Sequence, residues 1–80
     1  MTDSIFDVGD ELRSRITMAI AEVLVTLAPS CRDYRKLVIL RGLWLLPKQT
    51  RNDLIRARTF AYLHKYLAIG DELTRILDES

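Results

Sequence analysis

The stretch Leu37-Val38-Ile39-Leu40-Arg41-Gly42-Leu43-Trp44-Leu45-Leu46 decides the fold. Wound as a helix it is apolar almost all the way round, and Pro47 follows it directly. A helix with no polar face has to be covered on every side. Burying one large aliphatic side chain contributes about 1.5–3 kcal/mol, so leaving four or five of Ile39, Leu40, Leu43, Trp44 and Leu46 in water forfeits roughly 6–15 kcal/mol. That is comparable with the whole stability of a small domain, about 5–15 kcal/mol. Other helices must therefore sheathe this segment, drawn from the same chain or from a second copy. The expectation is a homodimer.

Working outward, the rest of the chain also reads as helix. Gly occurs only at positions 9, 42 and 70 and Pro only at 29 and 47, with no strand alternation and no hairpin dipeptide. Before the apolar stretch, Val8, Leu12, Ile16, Ala19, Ile20, Val23 and Leu27 recur at three- and four-residue spacing. They form one stripe of a helix over about 8–28, with acids at its dipole-positive start and Pro29 as its stop. Ser30, followed three residues later by Asp33, predicts the cap of a second helix over 31–46. Gly42 in its interior suggests close approach of a neighbouring helix or is merely tolerated. Thr50 and Asp53 repeat the cap pattern, predicting a third helix over 50–69 with Gly70 as a left-handed terminator. This helix carries two stripes: Phe60, Leu63 and Leu67 beside Ala57 and Ala61, and Ile55, Tyr62, Tyr66 and Ile69. Two stripes imply two partners. Residues 71–77 form a short fourth helix or extend the third, and Asp78, Glu79 and Ser80 are expected to fray. The fold class is all-α, one helical domain over residues 1–80.

A chain of 80 residues buries only about 60% of its unfolded surface, so it needs extra support. The single cysteine, Cys31, and single histidine, His64, rule out an internal disulfide and a Cys/His zinc site. Oligomerisation is the support left open, alongside tight helix packing alone. One cysteine and an acidic amino terminus point to a cytoplasmic protein without a secretory signal. No apolar run reaches the roughly 18 residues needed to span a bilayer.

The net charge of +1 hides an asymmetry. Residues 1–30 sum to −3, residues 31–65 to +7 and residues 66–80 to −3. Either the middle meets an anionic partner, or the acidic ends fold back and neutralise it. The second needs no partner and is favoured.

No catalytic constellation stands out. Cys31 and His64 share no motif spacing, and acids such as Asp10, Glu11, Asp71 and Glu72 are commonplace at helix ends. The chain reads as a non-enzyme without cofactor, metal or small-molecule ligand. Scattered rather than aligned bases argue against a membrane-surface helix. What needs fewest assumptions is a regulatory or adaptor role through protein–protein interaction, as a homodimer with an unidentified protein partner. Leu40, Leu43, Trp44, Tyr62 and Tyr66 are the candidate interface residues, of types enriched at interfaces. The alternative is a helix-turn-helix-like DNA-binding regulator. The start of the third helix would then enter the major groove, with Lys48, Gln49, Arg51, Asn52, Arg56 and Arg58 touching bases or phosphates.

The segment Tyr34-Arg35-Lys36-Leu37 through Leu46 resembles the AriR-type small bacterial regulators of biofilm and acid resistance. Those proteins share a helix, a short loop, a Lys before an aliphatic run, and a last amphipathic helix. The pattern spans about Ile16 to Leu67 and departs from the family at Pro47, where an acidic residue usually follows the run. The resemblance implies a small all-helical dimer acting as a regulator or connector, and transfers no functional residue.

Overall fold

In the computed structural model, which describes residues 5–79, four helices and one short ladder follow in order: β1 (Ile5–Phe6), α1 (Asp10–Leu24), α2 (Arg32–Leu45), β2 (Gln49–Thr50), α3 (Arg51–Leu63) and α4 (Leu67–Glu79). The all-helical expectation holds apart from β1 and β2, which pair antiparallel with Ile5 opposite Thr50 and Phe6 opposite Gln49. Strands of two residues are too short to leave an alternating pattern. The acidic start, residues 1–4, lies outside the described residues, as does Ser80.

The α1 stripe packs as read: Leu12, Ile16, Ala19, Ile20 and Val23 are buried, with Val8 and Leu27 half-buried against them. The helix ends at Leu24 rather than 28. The Val23 carbonyl accepts the Thr26 hydroxyl at 2.7 Å, and backbone turn bonds carry the chain to Leu27. Helix α2 keeps nearly its expected bounds, but its N-cap is Cys31 and makes no side-chain cap bond, so the Ser30–Asp33 box does not form. At α3 the box does form: the Asp53 amide donates to Thr50 Oγ1 at 3.2 Å, and the Thr50 amide donates to Asp53 Oδ2 at 3.0 Å.

The long third helix does not form. Helix α3 stops at Leu63, Lys65 takes a left-handed φ of 68°, and α4 starts at Leu67 and runs through Glu79, where fraying was expected. Gly70 is not a terminator but a buried residue inside α4. Its missing side chain leaves room for the Tyr62 ring, whose Cε1 would lie 2.6 Å from a Cβ there. The break folds α4 back on α3, so Ile69, Leu73 and Leu77 pack against the α3 stripe of Leu54, Ala57, Phe60 and Ala61. Leu63 and Leu67, assigned to a buried stripe, flank the break and are exposed.

Helix α1 packs on α2, and α3 on α4. One ion pair closes the two halves, Arg15 Nη1 to Glu72 Oε2 at 2.8 Å. Tyr66, just before α4, donates its hydroxyl to Glu22 Oε1 of α1 at 3.1 Å.

Candidate interaction surface

Helix α2 is covered on one side only. Leu37, Leu40 and Trp44, spaced three and four apart, face the core and are buried. The opposite side shows Ile39 at 55%, Leu45 at 56% and Leu46 at 54% of full exposure, with Val38 close behind. The sheathing expected of the chain's other helices is therefore incomplete: α1 packs on α2, and among the described residues none covers the outward side.

Gly42 sits in the middle of this outward face, and a Cβ built on it would meet nothing within 4 Å. Among the described residues no neighbouring helix approaches it closely. The outward residues Ile39, Gly42 and Leu46 are spaced three and four apart, as are Val38, Gly42 and Leu45, the spacing of a seam between two helices.

The end of α2 is fixed by side chains from elsewhere. Gln49, only 1% exposed, donates Nε2 to the Leu46 carbonyl at 2.7 Å and the Leu43 carbonyl at 3.3 Å. Arg13 of α1 donates Nη1 to the Leu46 carbonyl at 3.1 Å and also pairs with Asp10. The last carbonyls of a helix have no partner within it, and a cation there complements the dipole. Trp44 is locked below by its Nε1 donating to the Asp53 carbonyl at 3.3 Å. The outward face of α2 is thus held on a rigid helix.

Beside that face, α2 and α3 diverge around a groove of about 660 Å3. Buried Leu37, Leu40 and Phe60 contribute its apolar lining, together with Leu27, Ile39, Ile55 and Leu63. Its polar lining is Asp33, Lys36, Arg56, Thr59 and His64. Leu63 is 71% exposed.

The five candidate interface residues are mostly used inside the chain. Leu40 and Trp44 are buried in its core, Leu40 also lining the groove; Leu43 is half-buried. Tyr62 donates to Asp71 Oδ1 at 2.8 Å and lies 3.1 Å from Thr74 Oγ1, tying α3 to α4. Tyr66 is tied to Glu22, and its ring stacks on Phe60 at 5.9 Å. Burial and these bonds raise the Tyr66 hydroxyl above its ordinary value near 10, with desolvation first and the hydrogen bond to and charge of Glu22 behind it. The outward residues Val38, Ile39, Leu45, Leu46 and Leu63 were not singled out as surface. Their signal was present in the spacing complementary to Leu37, Leu40 and Trp44, but a helix apolar all round does not say which spacing faces in.

Of the residues assigned to DNA, Gln49 is buried in the α2 cap and unable to reach a base. Lys48, Arg51, Asn52 and Arg56 are exposed, Arg58 half-buried, and Arg51 is otherwise engaged. Among the described residues, Arg13 pairs with Asp10 and Arg15 with Glu72, while Arg51 of the basic middle is engaged in an interaction of its own. Cys31 and His64 are both half-buried, and the His64 ring lies 4.9 Å from Phe60. Among the described residues no helix is long and apolar enough to cross a membrane.

Comparison of the chain with protein-family models, with curated proteins and with solved structures found no match.

Proposed function

We propose that this chain is a small non-enzymatic regulatory or adaptor protein that acts by protein–protein contact and self-associates through α2. The observation that carries the reading is the outward face of α2: four large apolar side chains about half exposed, centred on a glycine with open space above it. Burying the exposed halves of Val38, Ile39, Leu45 and Leu46 is worth roughly 3–6 kcal/mol per copy. Two copies contribute twice that, against an association cost of about 4–15 kcal/mol. The balance supports a dimer of micromolar strength or weaker, suited to exchange of partners. An antiparallel crossing of two α2 helices at Gly42 sets Val38 and Ile39 of one copy against Leu45 and Leu46 of the other, the self-complementary arrangement a two-fold interface needs. The pattern shared with the AriR-type regulators implies the same class of activity. The DNA-binding alternative loses Gln49 and has nothing to explain the apolar face.

A dilution series followed by amide NMR tests the reading. Signals of Val38, Ile39, Arg41, Gly42, Leu45 and Leu46 are expected to shift with concentration, while those of Arg75 and Asp78 on α4 stay fixed. Leu45→Glu should abolish the shifts and leave the rest of the spectrum folded. Concentration-dependent shifts confined to α4, or none on α2, would overturn it.

A further inference from the structure

The groove between α2 and α3 adjoins the outward face of α2 at Ile39, and we infer that it receives an amphipathic α-helix with acidic flanks from a partner protein. The inference rests on the proposed role in protein–protein contact and names the partner's chemistry. At ~30 Å3 per water, the groove of about 660 Å3 holds the volume of roughly twenty waters against an apolar lining. An apolar insert gains by expelling them.

The occupant is a helix because the walls are helices. Their backbone groups are spent within α2 and α3, and the one short ladder pairs Ile5–Phe6 with Gln49–Thr50, neither of which lines the groove. An extended peptide would enter with its amides and carbonyls unpaired. A helix brings its own satisfied and presents side chains at three- and four-residue spacing.

The flanks are acidic because Lys36 stands on the α2 wall and Arg56 on the α3 wall. Both are exposed, and neither has an ion-pair partner among the described residues. Asp33 is the one acid among the lining residues, in the first turn of α2. The surrounding segment, residues 31–65, carries a net charge of +7. A second copy of this chain does not fit. Its acidic helices α1 and α4 already bury their apolar stripes, and its α2 repeats the bases of the wall.

The test is fluorescence anisotropy on the full chain with three synthetic labelled helical peptides: a Leu stripe flanked by Glu, the same stripe flanked by Lys, and the Glu peptide with Ser in place of Leu. The Glu-flanked Leu peptide is expected to bind best, more weakly as salt rises. The double variant Lys36→Glu/Arg56→Glu changes only exposed side chains. It should weaken that peptide about tenfold and favour the Lys-flanked one. Leu63→Ser should weaken both Leu peptides about tenfold. Equal binding of the two charged peptides, no binding, or displacement of the peptide by a DNA duplex would overturn the inference. The underlying reading fails separately, through absent dilution shifts on α2.

Discussion

Gly70 shows how one residue's surroundings can reverse its expected role. Read along the sequence, a glycine after Ile69 ends a helix; in the fold it lies inside α4 beneath the Tyr62 ring. The sequence places Tyr62 eight residues upstream but says nothing of the reversal at Lys65 that brings the two together. The arrangement has a consequence for stability. Alanine gains up to about 1 kcal/mol over glycine in a helix interior, but here its Cβ drives into a ring whose hydroxyl is anchored to Asp71. Gly70→Ala is expected to destabilise the chain by about 1–2 kcal/mol, an overpacking penalty. In a Tyr62→Ala background the same change is expected to stabilise it. Chemical denaturation of the four chains reads the cycle, and an effect of one sign in both backgrounds would contradict the contact. Tyr66 supplies a second test. Its hydroxyl is raised in the folded chain, so above pH 10 the unfolded chain sheds this proton more readily and stability falls as pH rises. Tyr66→Phe should show a shallower alkaline loss in the same unfolding measurement.

Elements were legible where a cap or a clean stripe marks them. The Thr50–Asp53 box and the α1 stripe stand in the structure as the spacing requires. The Ser30–Asp33 pair has the same spacing, with Ser in place of Thr, yet α2 begins one residue later and Cys31 takes the cap position. The α3–α4 break was not legible, because no proline or glycine occupies His64–Tyr66 and a lysine adopts the left-handed turn. For α2, hydrophobicity alone indicated that it is covered, whereas the structure covers half of it. Gly42→Ala separates the two parts of that account. The added methyl meets nothing within 4 Å among the described residues, so the monomer should gain up to about 1 kcal/mol in thermal unfolding. At a helix crossing the same methyl pushes the backbones apart, so self-association should weaken. A variant more stable and equally self-associating would remove Gly42 from the interface.

For the molecule as a whole, charge and apolar surface pull on association in opposite directions. Two α2 faces meeting at Gly42 bring Arg41 of each copy near the other, and the outward-facing helix also carries Arg35. Salt screens such like charges over about 10 Å at 0.1 M, so self-association is expected to strengthen as salt rises, while capture of an acidic helix in the groove weakens. This opposition follows from a basic middle, residues 31–65, with a net charge of +7. Sedimentation equilibrium of the unmodified chain across the micromolar range, at low and at moderate salt, examines the central claim most directly. The account predicts an average mass rising above the 9.3 kDa of one chain, and rising further with salt. A mass that stays at 9.3 kDa at every concentration and both salts would contradict it.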